Sequence, residues 1–107
     1  MDMKKLYKNY RMNNLKILIT GYEAAPFYKR GGLGDVMESL PKALVSIGIE
    51  ARVVIPYYND IKDEYHFKRE GEFTLVFDGK TENIGIFATS LSSKSLGKSA
   101  SVPFYFL

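Results

Sequence analysis

The spacing of hydrophobic and polar positions changes several times along the chain, and each change marks an element. Leu15-Lys16-Ile17-Leu18-Ile19-Thr20 is a short, β-branched, almost continuously apolar run. It predicts a strand covered on both faces, as in a parallel sheet. Gly21 ends it, and a loop containing Pro26 and the Gly31-Gly32 pair follows. Val36, Leu40, Leu44 and Ile47 then recur at spacings of four, four and three, which predicts an amphipathic helix beginning near Gly34 and stopped by Gly48. Pro41 lies inside it, removes a backbone donor and crowds the preceding turn, so a kink or a division is expected there. Ala51–Ile55 is a second buried-strand run, closed by Pro56. Strand, helix and strand in this order form a βαβ unit with a right-handed crossover, and its two strands should be parallel neighbours.

Beyond Pro56 the pattern is less regular. Residues 57–72 are charged and aromatic, with at most a short helix near Asp60–Tyr65. Phe73–Phe77 alternates like a strand, Asp78-Gly79 is a turn signal, and Ile84–Ala88 reads as the returning strand of a hairpin. Residues 90–101, rich in Ser, Lys and Gly, predict an exposed loop. Val102–Leu107 predicts one more strand, and an apolar strand as the last element reads as a truncation. The expected architecture is α/β: a Rossmann-like partial domain with a mostly parallel sheet and a β-hairpin excursion. Residues 1–14 are a polar, basic N-terminal extension, and residues 15–107 the truncated domain. A parallel sheet needs both faces covered, yet only one long helix is evident. Exposed apolar surface, with self-association or marginal stability, is therefore expected.

Composition narrows the function classes. Among 107 residues, 46% are hydrophobic and 25% charged, which is ordinary for one small globular domain. The absence of cysteine excludes disulfides, thiolate metal sites and cysteine nucleophiles. The net charge of +3 is a property of the amino-terminal end: residues 1–16 hold five basic groups against Asp2, while the rest carries ten basic and eleven acidic groups. A basic face interleaved with aromatics, as nucleic-acid binding requires, is not seen on the fold itself. No stretch has the apolar core of a signal peptide or the ~20 apolar residues of a membrane span. The expectation is a cytoplasmic protein without nucleic-acid or membrane partners.

The segment Tyr28-Lys29-Arg30-Gly31-Gly32-Leu33-Gly34-Asp35-Val36 carries the most chemistry. It joins the first strand to the helix, where unpaired backbone N–H groups and the positive end of the helix dipole lie. Glycines allow close approach of a ligand, and Lys29 adds a mobile cation, so a phosphate site is one reading. A glycine-rich turn that merely folds strand onto helix is the other. The place is the carboxyl end of a parallel strand, where open α/β sheets bind ligands. The dinucleotide fingerprint fails, because Met37 stands where its third glycine belongs. Gly79-Lys80-Thr81 imitates the end of a P-loop, but Thr74 replaces the leading glycine and no helix follows, leaving a hairpin turn. His66 is the only histidine, stands among charged residues and reads as solvated. Asp60, Asp63 and Glu64 with Lys62 read as a solvated face, and Tyr57-Tyr58 as core or rim packing ahead of stacking on a sugar.

Several separated blocks agree with one family. Glu23-Ala24-Ala25-Pro26-Phe27, then Lys29 to Val36, then Leu40-Pro41-Lys42-Ala43-Leu44, then Arg52-Val53-Val54-Ile55-Pro56 match in order and spacing. Together they resemble the amino-terminal signature of bacterial glycogen and plant starch synthases, densely over residues 15–61. The resemblance implies the N-terminal part of a two-domain GT-B glycosyltransferase with a cleft between two Rossmann-like domains. It implies a retaining transfer of glucose from ADP-glucose to the non-reducing end of an α-1,4-glucan, with no cofactor. It implies that Lys29 contacts the nucleotide sugar beside Gly31, Gly32 and Gly34, with Glu23 and Asp35 near the cleft. No catalytic residue is assigned within this stretch, and the isolated chain is expected to be inactive. Tyr22, Arg30 and Glu38 depart from the pattern, which commonly has Ser at the first of these, a smaller residue at the second and Gly at the third. An unrelated nucleotide-binding α/β module, or a non-enzymatic gene fragment, is the competing reading.

Overall fold

The computed structural model describes residues 15–107. The basic extension 1–14 lies outside the described residues. Five strands form one sheet in the order β1-β2-β5-β4-β3, with β1 at Lys16–Thr20, β2 at Glu50–Ile55, β3 at Lys68–Phe77, β4 at Lys80–Ser95 and β5 at Lys98–Phe106. One long helix, α1, spans Gly32–Ser46, and a 3-10 turn spans Asp63–Tyr65. β1 and β2 pair in parallel, Lys16 opposite Glu50 through Thr20 opposite Val54, with α1 between them in the chain. β2 and β5 are also parallel. β5 with β4, and β4 with β3, are antiparallel.

The sheet is therefore mixed and not mostly parallel. The crossover from β2 to β5 contains the β3–β4 hairpin in place of a second helix, and antiparallel neighbours are what a tight hairpin can join. Residues 90–101, expected to be a loop, are the second hairpin instead: Leu91 to Ser95 pair with Val102 to Lys98. Leu96 and Gly97 form its turn at φ 51° and 84°, as Asp78 and Gly79 do at 52° and 72° in the first hairpin. Two consecutive left-handed residues suit the twist of flanking strands. Ladder hydrogen bonds satisfy the backbone of this second hairpin, and one face turns inward: Val102 is buried, and Leu91 and Ala100 pack against the core. The Leu96 N–H donates to Ser46 O (3.1 Å), docking the turn on the end of α1 and occupying a carbonyl the helix cannot satisfy itself.

The core lies between α1 and one face of the sheet. Val53, Ile55, Val102, Phe104 and Phe106 are all but inaccessible, and Met37, Pro41 and Val45 of α1 are buried with them. The helix is continuous through Pro41, so the proline does not divide it. Its buried stripe also differs from the expected one: Val36 and Leu40 are half-exposed, while Gly34, Met37, Pro41 and Val45 face inward. The two stripes lie one residue apart, about 100° around the helix, and both are apolar.

The second face of the sheet is open. Leu18 of β1 is 60% exposed, and Leu75 and Phe77 of β3 are exposed on the same side. A trough of about 630 Å³ runs across this face, lined by Leu18, Arg52, Val54, Phe73, Ile86 and Tyr105 among others. It lies away from the glycine-rich loop. Arg52 holds its rim, with Nη1 donating to the Tyr105 hydroxyl at 2.7 Å and Nη2 to Glu50 at 2.8 Å. The Glu50 contact, and then Tyr105, hold the Arg52 guanidinium above its ordinary range.

Candidate functional site

The parallel strands end on one edge, and the loop from Gly21 to Gly31 rises there. Phe27 anchors it: this side chain is buried and its ring lies 5.1 Å from Phe104, 5.1 Å from Phe106 and 4.7 Å from Tyr65. Ala24 and Tyr28 exchange two backbone hydrogen bonds of 2.9 Å, and Ala25 N–H donates to Gly34 O at the same distance. The loop is thus tied to the core and to the first turn of α1. A hollow of about 220 Å³ beside it is lined by Thr20, Gly21, Val54, Ile55, Pro56 and Leu107, at the carboxyl ends of β1, β2 and β5.

Glu23 is the only buried charged side chain among the described residues, at 8% exposure. Its carboxylate accepts from the backbone N–H of Arg30 (2.6 Å), Gly31 (3.2 Å) and Gly34 (2.7 Å). Gly31 is the N-cap of α1 and offers no side chain to cap it. A carboxylate from eight residues upstream does so in its place, where the helix dipole favours negative charge. Part of the donor set that could cradle a phosphate is therefore already occupied. The N–H groups of Gly32 and Leu33, first and second in the helix, have no intrahelical acceptor by geometry.

Lys29 lies across this turn. A Cβ on Gly34 would meet Lys29 Cγ at 2.8 Å and its Cα at 3.4 Å, so the lysine stem rests on the bare glycine backbone. Its ammonium pairs with Asp35 at 2.9 Å, and both side chains are about half-exposed. An ion pair so solvated is worth roughly 0–1 kcal/mol, so an incoming anion can displace it. Gly32 has no neighbour within 4 Å of a built Cβ, so nothing in the fold itself demands glycine there. The structure thus brings Glu23, Lys29, Gly31, Gly32, Gly34 and Asp35 together around one turn.

Gly34→Ala follows from the same contact. Alanine in a helix is ordinarily favoured over glycine by up to ~1 kcal/mol. Here the added methyl must displace the root of Lys29, and overpacking of that kind costs about 1–3 kcal/mol. The expected result is a lower urea midpoint for Gly34→Ala. A higher one would show that Lys29 yields freely.

The departures Arg30 and Glu38 have partners. Arg30 Nη2 donates to Asp60 (2.9 Å), its Nε to the Tyr28 hydroxyl (3.1 Å), and its guanidinium stacks 4.6 Å from the Tyr28 ring. The Tyr28 hydroxyl above all, with Asp60 after it, holds the Arg30 guanidinium above its ordinary range. Glu38 turns along the helix to Lys42 at 3.2 Å. Tyr22 is 78% exposed beside the loop. The core or rim packing expected of Tyr57-Tyr58 divides between the two, although the partners were not legible in the sequence: Tyr58 stacks on Tyr28 at 4.0 Å, and its hydroxyl donates to Tyr22 O at 2.7 Å. Tyr57 goes into the core against Phe67, Phe87 and Phe106, and burial, then Asp63, pushes its phenol up. His66 is exposed and left-handed at φ 53°. Among the described residues no cluster of acidic and histidine side chains could hold a metal ion, and no helix is long and apolar enough to cross a membrane.

A βα turn with a clamped glycine loop, a surface lysine and a hollow at the strand ends defines an α/β protein of the kind that holds ligands at the carboxyl edge of its sheet. Comparison with known proteins gives the family. The starch synthase catalytic domain model matches residues 16–107. The glycogen synthase of Lactobacillus acidophilus is 40% identical over 80 residues, spanning 73% of this chain and 17% of the relative. That of Caldicellulosiruptor bescii is 39% identical over 95 residues, spanning 87% of this chain and 18% of the relative. The catalytic domain of starch synthase IV from Arabidopsis thaliana, solved bound to ADP and acarbose, superposes with a TM-score of 0.69 at 27% identity, covering 86% of this chain and 18% of that one. The chain belongs to the starch synthase catalytic-domain family. It spans less than a fifth of the length of these relatives.

Proposed function

We propose that this chain forms the donor-phosphate wall of a retaining glucosyltransferase active site. The reaction is transfer of glucose from ADP-glucose to the non-reducing end of an α-1,4-glucan, in a cytoplasmic synthase of two Rossmann-like domains. The observation that carries this reading is the neighbour bound to ADP and acarbose, which matches most of this chain at 27% identity. Lys29 and the N–H groups of Gly32 and Leu33 face the diphosphate, and Asp35 releases Lys29 to it. The rest of the synthase supplies the opposite wall of the cleft, so the chain alone does not turn over. The open apolar face of the sheet supports self-association of the chain in the absence of that partner.

Calorimetric titration of the chain with ADP-glucose, and separately with a maltooligosaccharide, tests the assignment. Weak saturable binding of ADP-glucose is expected. Gly32→Ala is the sharper probe, because its side chain would stand in open space on the ligand side of the turn. It should leave the melting temperature unchanged or slightly higher and weaken ADP-glucose binding about tenfold, the loss of roughly one hydrogen bond to a charged group. Equal affinity for the variant would remove Gly32 and its N–H from the site.

A further inference from the structure

We propose that Glu23 is a positioning residue: it acts on the donor through Lys29 and the first turn of α1, without touching the donor. The inference rests on the donor-phosphate reading above and goes further, because it gives a distinct role to the one buried charge among the described residues. Three observations support it. The carboxylate is 8% exposed, so little of it is available to a ligand. Both its oxygens are engaged, one by Arg30 N–H, the other by Gly31 and Gly34 N–H. These donors run from Arg30, the residue after Lys29, to Gly34, the surface on which the Lys29 stem rests.

The physical consequence is preorganisation. Gly31, Gly32 and Gly34 give this turn a large choice of backbone conformations, and glycine loses the most entropy when ordered. Three charge-assisted hydrogen bonds offset that entropy before any ligand arrives. The carboxylate also fills the inner donors with an internal anion, so a phosphate is directed outward to Gly32, Leu33 and Lys29. Without the clamp, the inner N–H groups would compete for the phosphate and draw it away from the lysine.

ADP titrated into the 107-residue chain, followed by amide and Lys29 side-chain NMR shifts, tests the assignment. In the unmodified chain ADP should move Gly32, Leu33 and Lys29, while the amides of Arg30, Gly31 and Gly34 stay slow to exchange. Glu23→Gln offers the same shape with one acceptor oxygen replaced by a donor facing Arg30 N–H. Its expected signature is faster exchange at Arg30, Gly31 and Gly34, unaltered protection in β2 and β5, and ADP affinity weaker by about tenfold or more. The Lys29 resonances should then no longer respond to ADP. A purely structural role would change exchange and leave the affinity and the Lys29 response as they were, which overturns the proposal. Displacement of the Arg30, Gly31 and Gly34 shifts by ADP in the unmodified chain also overturns it, since the ligand would then be replacing Glu23. No ADP response at any loop residue of the unmodified chain refutes the donor-phosphate reading itself. Should Glu23→Gln fail to fold, Glu23→Asp keeps the charge but falls one methylene short of the donors, and the same shifts decide.

Discussion

Lys29→Ala in a complete synthase carrying this segment should lower turnover about 10²–10³-fold, the usual effect of removing one preorganised charge-stabilising group. As the bond between the glucosyl carbon and the donor oxygen breaks, negative charge grows on the departing diphosphate. An ammonium accelerates the step only to the extent that it meets more charge in the transition state than in the bound donor. The structure supplies the preconditions. The lysine stem is fixed over Gly34, and the head group is held only by a half-exposed pair with Asp35. Lys29→Arg should recover part of the activity, because a planar fork replaces a compact point charge on a stem of different reach. Steady-state kinetics with ADP-glucose decides the matter. Turnover and donor affinity both within about twofold of the parent, far below the ~1.4 kcal/mol that makes a tenfold effect, would reduce Lys29 to a surface residue of a folding turn.

The largest effect on stability is expected at Phe106. Its side chain is fully buried and its ring meets Phe67 at 4.6 Å, Phe27 at 5.1 Å and Tyr57 at 5.7 Å. Truncation to alanine removes the hub of this cluster and leaves a cavity, at a cost of about 3–5 kcal/mol. Small domains have roughly 5–15 kcal/mol in total, and this one has an apolar sheet face in water, which places it low in that range. Phe106→Ala should therefore abolish the cooperative thermal transition seen by near-ultraviolet circular dichroism. Phe106→Leu should keep it at a lower temperature. Because Phe27 is part of the same cluster, the loop that carries Lys29 should loosen together with the core. A melting temperature for Phe106→Ala within a few degrees of the parent would mean that the aromatic cluster is dispensable.

The strands and the site differed in how far they could be read from residues alone. β1 and β2 were legible because short β-branched apolar runs bounded by Gly21 and Pro56 favour strands. The expected cover on both faces was not found: no residue of β1 is buried and one face of β2 is open. The turn at Asp78-Gly79 was legible because few residue pairs tolerate two left-handed conformations. The arms of the second hairpin were not. Serine and lysine on a ladder with one face in water look like a loop, because the hydrogen bonds that hold them come from the partner strand. α1 was legible as a helix but not in its rotation. Val36, Leu40 and Met37, Pro41 make neighbouring apolar stripes, and the inward one was chosen by contacts with Gly21 and Lys29 at its first turns.

The ordered blocks from Glu23 to Pro56 were enough, as residues, to point to the synthase family and to gather the glycines, Lys29, Glu23 and Asp35 at one turn. That follows because a βα turn is local: a few residues and one helix start set its geometry. What each of those residues does there was decided by tertiary structure. Burial made Glu23 an internal cap, a bare backbone at Gly34 gave Lys29 its resting surface, and solvent left Asp35 only a weak hold on it. The mixed sheet was likewise settled by long-range pairing, since the return of β5 beside β2 depends on where a distant hairpin docks. Local chemistry is written in neighbouring residues, whereas burial and partner choice are properties of what the rest of the chain brings alongside.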